Sequence, residues 1–106
     1  MSMMIATELP HPTREELELS AVLHALSDPV RLSMVRKLAA GSEERSCRSF
    51  DVPVTKSTCT HHFKVLREAG IIRQRQQGTA RLSALREDDL EARFPGLLAT
   101  ILAAAA

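Results

Sequence analysis

From Thr13 onward, apolar positions recur at helical spacing. Thr13 and Glu16 stand three apart as a capping box, and Leu19, Val22, Leu23 and Leu26 then share one face, which predicts a first helix from about Arg14 to Leu26. Leu17, Ala21 and Ala25 add a second apolar strip, more than a peripheral helix of a small monomer needs, and this points to a partner chain. Asp28 followed by Pro29 is a strong helix start, with a carboxylate at the N-cap and proline where its missing N–H costs nothing. The second helix directs Leu32, Val35, Leu38 and Ala39 inward and stops at Gly41. Arg45 to Phe50 predicts a short third helix, broken by Asp51, Val52 and Pro53, and Thr55 caps a fourth from Lys56 to Ala69, closed by Gly70.

At Ile71 the period shifts toward two. Ile71 to Gln76, a turn at Gln77-Gly78, and Thr79 to Leu85 predict a two-stranded hairpin. A last helical stretch begins near Glu87, is divided by Pro95-Gly96, and continues as the apolar run Leu97, Leu98, Ile101 and Leu102 toward Ala106. Residues 1–12, with Pro10 and Pro12, read as a flexible N-terminal arm, and residues 13–106 as one domain. The order of helices, short link, helix and hairpin is the outline of a winged helix-turn-helix: mainly α, with a small β-hairpin wing.

On a helical wheel the Lys56–Ala69 segment has two unlike sides. Cys59, Phe63 and Leu66 point one way with His62 and Ala69 beside them; Ser57, His61, Lys64 and Glu68 point the other, with Thr60 at the edge. Ser, Thr, His and Lys hydrogen-bond phosphates or base edges, and a helix N-terminus favours phosphate. Ser57 and Thr58 also suit a purely structural capping role.

Composition narrows the classes. The 106 residues are 44% hydrophobic and 25% charged, as expected of one globular domain. No apolar run approaches the roughly 18 residues of a membrane span and no signal peptide is evident, so a cytoplasmic protein is expected. Two cysteines, Cys47 and Cys59, make no disulfide framework. No Ser-His-Asp spacing, phosphate-binding glycine loop, paired carboxylates or HExxH occurs, so no enzyme and no cofactor are expected. The net charge of +1 is unevenly placed: Arg45 to Arg86 holds nine basic and two acidic residues, net +7, and the rest of the chain is net −6. A continuous basic stretch suits a module with one face toward a polyanion.

Two blocks carry a family resemblance. His24-Ala25-Leu26-Ser27-Asp28-Pro29-Val30-Arg31-Leu32, and the run from Thr55 through His61-His62-Phe63-Lys64-Val65-Leu66-Arg67-Glu68-Ala69-Gly70 to Ile72, resemble the ArsR/SmtB transcriptional regulators over about Leu17 to Leu102. The resemblance implies a homodimer that pairs through its first and last helices, binds a near-palindromic double-stranded DNA operator, and represses. Carried over by position, Ser57, Thr58, Thr60, His61 and Lys64 would meet DNA together with Lys56, while Arg75, Gln77 and Arg81 would flank the wing tip at Gly78. A winged-helix module that binds another protein shares this outline and is the competing reading.

The family's sensing patterns are not matched. Cys47-Arg48-Ser49 supplies one thiol where a metal-sensing third helix resembles Cys-x-Cys, and no His or Cys follows Glu87, so no transition-metal site is expected and the inducing signal stays unspecified. Asp88, Asp89 and Glu91 read as helix-start charges ahead of an oxygen cluster. Cys47, near Arg45 and Arg48, is the candidate redox thiol, since neighbouring cations favour thiolate; Cys59 reads as a small core residue.

Overall fold

The structure, a computed structural model, describes residues 7–41, 45–46 and 55–106. Its elements in chain order are β1 (Thr7–Glu8), a 3₁₀ turn (Arg14–Glu16), α1 (Leu19–Leu26), α2 (Pro29–Ala40), β2 (Arg45–Ser46), α3 (Lys56–Glu68), β3 (Ile72–Gln77), β4 (Ala80–Leu85), α4 (Glu87–Arg93) and α5 (Leu97–Ala105). The four strands form one antiparallel sheet in the order β1-β3-β4-β2. Helices followed by the β3–β4 hairpin make the expected winged helix-turn-helix. No helix among the described residues is long and apolar enough to cross a membrane.

Two expectations are corrected in detail. The helix predicted from Arg14 to Leu26 is two pieces. The Thr13 N–H does donate to Glu16 Oε1 at 2.7 Å, but the turn it caps ends at Glu16, and Leu17 and Glu18 are extended before α1 begins at Leu19. At this break Leu17, in extended conformation, is fully buried beside Gly70. The helix predicted for Arg45 to Phe50 begins instead as a strand, Arg45 pairing with Ser83 and Ser46 with Leu82. Residues 47–50 of that prediction lie outside the described residues. Within the segment expected as an N-terminal arm, Thr7 and Glu8 pair with β3, Thr7 opposite Gln76 and Glu8 opposite Arg75.

The remaining boundaries follow local chemistry. Asp28 Oδ1 accepts from the N–H groups of Val30 (2.8 Å) and Arg31 (3.1 Å), with Pro29 at the first helical position. Pro95 and Gly96 separate α4 from α5, Gly96 adopting φ +79°, a left-handed conformation that glycine reaches without strain. The core gathers Leu17, then Val22, Ala25 and Leu26 of α1, Met34, Val35 and Leu38 of α2, Cys59, Phe63 and Leu66 of α3, and Ile71, Ile72 and Leu90. α1, α2 and α3 thus hold one another, and the sheet packs against α3.

Candidate nucleic-acid interface

The start of α3 is an ordered N-terminus. Thr55 is its N-cap: Oγ1 accepts from the Thr58 N–H at 3.2 Å and donates to Thr58 Oγ1 at 2.9 Å, and lies 3.3 Å from Ser57 Oγ. Lys56, Ser57, Thr58, Thr60, His61 and Lys64 are all exposed, whereas Cys59, His62, Phe63 and Leu66 on the other side are buried. The two sides of the helical wheel are therefore the two sides of the folded helix. Thr60 Oγ1 donates to the Lys56 carbonyl at 3.0 Å, a local bond within the exposed first turns. The exposed side offers a lysine ammonium, hydroxyls and an imidazole next to the positive end of the helix dipole.

What places this helix is a buried polar clasp. Arg31 is 8% exposed; its Nε donates to the Ala25 carbonyl at 2.7 Å and its Nη1 to His62 Nδ1 at 3.1 Å. One guanidinium therefore ties the end of α1, the first turn of α2 and the middle of α3 together. The bond to Nδ1 requires a neutral imidazole, and burial, with Arg31 and His61 nearby, holds the His62 pKa below its ordinary value against the opposing pull of Asp28. Asp28 is in turn held below the usual carboxylate range, first by the Arg31 N–H. His61 and His62 diverge, their rings 6.0 Å apart and tilted by 49°, the first outward and the second inward.

The wing sorts its predicted residues onto two faces. Cross-strand register places Arg73, Arg75 and Gln77 with Ala80, Leu82 and Ala84 on one face, and Gln74 and Gln76 with Arg81 and Ser83 on the other. Arg75 Nη1 donates to Gln77 Oε1 at 2.7 Å, while Arg81 Nε donates to Gln76 Oε1 at 3.2 Å and Gln76 Nε2 to the Gly78 carbonyl at 3.0 Å. Arg75 and Gln77 thus straddle the tip from one side and Arg81 from the other. Gln76, which orders both Arg81 and the turn, carries no signal of its own in sequence: a glutamine in a polar hairpin is unremarked until register is known.

The basic stretch is not all surface. Arg86 is 6% exposed; it donates through Nε to Asp89 Oδ2 at 2.9 Å and through Nη1 to the Pro12 carbonyl at 2.8 Å. Arg14 Nε reaches Asp89 Oδ1 at 2.8 Å, so Arg14 first and then Arg86 hold the Asp89 carboxyl below the usual carboxylate range; Arg73 lies 3.8 Å from Oδ2. Arg67 Nη1 donates to Gln74 Oε1 at 2.8 Å, and Gln74 Nε2 to Ser83 Oγ at 2.9 Å. Arg67 and Arg86 hold the fold and Arg73, though exposed, lies 3.7 Å from Glu8 and 3.8 Å from Asp89, while Lys56, Lys64, Arg75 and Arg81 line the outward helix face and the wing. Asp89 and Glu91, read as helix-start charges, are engaged by Arg14, Arg86 and the Gly96 N–H. Cys59 is buried as expected, and Cys47 lies outside the described residues.

An exposed polar helix, braced by two others and followed by a hairpin, defines a winged helix-turn-helix protein. A helix-turn-helix domain family model matches residues 26–75. The chain is 37% identical over 82 residues to the uncharacterized HTH-type transcriptional regulator YceK of Bacillus subtilis (strain 168), covering 76% of this chain and 82% of that one. It is also 33% identical over 59 residues to the uncharacterized HTH-type transcriptional regulator MJ1325 of Methanocaldococcus jannaschii, over 55% of this chain and 66% of that one. The chain belongs to the helix-turn-helix family of transcriptional regulators, a class that acts by binding DNA.

Proposed function

We propose that the protein is a homodimeric, sequence-specific repressor of the ArsR type that acts in the cytoplasm. α3 lies in the major groove with Ser57, Thr58, Thr60, His61 and Lys64 toward the bases and phosphates. Lys56 and the α3 N-terminus meet the backbone, and Arg75, Gln77 and Arg81 flank the adjacent groove. The observation that carries this reading is the division of α3 into a buried face locked by Arg31 and an exposed face of lysine, hydroxyl and imidazole groups. Pairing through α1 and α5 is supported by apolar surface left on both: Leu19 and Leu23 are 47% and 45% exposed, and Leu97, Leu98, Ile101 and Leu102 of α5 pack against the core but are only partly buried. A twofold dimer reads half-sites about one helical turn apart.

A gel-shift against DNA from the protein's own upstream region, repeated across salt concentrations, tests the reading. Binding should weaken steeply with salt, and Lys64→Ala should weaken it across sequences, lowering the salt slope by about 0.9 for each phosphate that is no longer neutralised. Absent or salt-insensitive binding overturns it in favour of a protein-binding module. The redox role proposed for Cys47 rests on its flanking arginines, and it predicts that peroxide changes operator affinity in the native chain and not in Cys47→Ser.

A further inference from the structure

The segment ahead of the 3₁₀ turn is fastened to the wing at one residue. The Leu9 N–H donates to the Gln74 carbonyl at 3.1 Å, and the Gln74 N–H donates to His11 Nε2 at 2.8 Å. Both main-chain groups of Gln74 are therefore taken by the N-terminal segment. Its side chain, 1% exposed, bonds Arg67 at the end of α3 and Ser83 of β4. Gln74 is the node at which the N-terminal segment, the recognition helix and both wing strands meet. Beyond the two β1 pairs, His11 supplies by side chain the acceptor that another strand residue would otherwise provide to the β3 edge.

We propose that His11 is a positioning residue for the wing: its neutral imidazole, accepting from the Gln74 N–H, clamps the N-terminal segment onto β3 and fixes the hairpin relative to α3, and a proton on Nε2 opens the clamp. This rests on the DNA-binding reading above. An imidazolium has no acceptor, so protonation removes the bond outright. The groups facing the ring come from every neighbouring element. Glu8 on its own segment, with Oε1 3.9 Å from Nδ1, favours the charged form, while Arg86 ahead of α4, Arg67 of α3 and Arg73 of β3 oppose it. Burial opposes it most, and the His11 pKa lies below its ordinary value of 6.5. The clamp is closed at neutral pH and opens as pH falls through the lowered His11 value.

The test uses the full chain, His11→Gln, whose amide oxygen can accept from Gln74 without titrating, and His11→Ala. Two readouts are taken between pH 8 and 5: the Gln74 amide-proton NMR shift without DNA, and affinity for a labelled duplex selected from random sequence by the protein at pH 8. In the native chain the amide should step with a midpoint below 6.5, and in His11→Gln it should not. Affinity of the native chain should fall about three- to tenfold more than that of His11→Gln, the span one hydrogen bond commands. His11→Ala should bind more weakly at pH 8, with its fold checked by circular dichroism. Titration of His62 is common to all three proteins and cancels in the comparison. Equal pH dependence of affinity in the native chain and His11→Gln overturns the positioning role even if the amide step is present. Failure of the native chain to select any duplex from random sequence at pH 8, with the amide step intact, overturns the DNA reading, and the wing-positioning role falls with it.

Discussion

Arg31 achieves at the residue scale what no single apolar side chain does, because one planar group satisfies a helix-end carbonyl and a ring nitrogen on different helices. His62 must stay neutral to accept from it. Its folded pKa lies below the unfolded value, so the unfolded chain takes up the proton more readily. The stabilisation is complete above about pH 6.5 and is lost as pH falls from there through the folded value. Urea midpoints measured from pH 8 to 5 should fall for the native chain, and fall less for His62→Asn, whose side-chain oxygen can replace Nδ1 as acceptor. Asp28 and Asp89 lie below the carboxylate range and stay ionised across this window. Asp28→Ala removes the acceptor of two N–H groups at the start of α2 and should cost about 1 kcal/mol in the same assay at pH 7.

The elements differ in how openly the sequence announces them. α2 and α3 are legible because each starts on a side-chain cap and carries apolar residues on one face; α5 is legible from the Pro95-Gly96 division and its apolar run. The hairpin shows in the change of period, but its two faces do not, since Arg75 and Arg81 look alike until Gln77 is paired with Ala80. The break between the 3₁₀ turn and α1 is illegible for a physical reason: Leu17 fits the helical pattern, and its burial beside Gly70, 53 positions away, is a contact that no local pattern records. β1 and β2 are two residues each, too short for periodicity, and exist because β3 and β4 offer them edges. Gly70 adopts φ +81°, and a Cβ there would collide with Leu17 and crowd Pro12. Gly70→Ala should therefore destabilise the protein by roughly 2–4 kcal/mol in urea unfolding, combining left-handed backbone strain with overpacking.

For the whole molecule, charge and apolar surface are segregated. Lys56, Lys64, Arg75 and Arg81 lie along α3 and the hairpin, whereas Leu19, Leu23 and α5 keep apolar surface on the helices proposed for pairing. Leu23→Glu leaves the described core untouched and should yield a folded monomer in sedimentation at micromolar concentration. Its operator affinity should drop by about tenfold or more, because the second half-site is no longer held nearby. A native chain that sediments as a monomer at that concentration would remove the dimer from the mechanism. The register of β1 also reaches the bench. Thr7 lies opposite Gln76, one residue short of the end of β3, so β1 begins beside the wing turn. A positively charged affinity tag fused at the N-terminus would be tethered six residues ahead of β1, on the strand that borders the wing proposed to meet DNA, and would add its own salt-dependent attraction to any operator measurement.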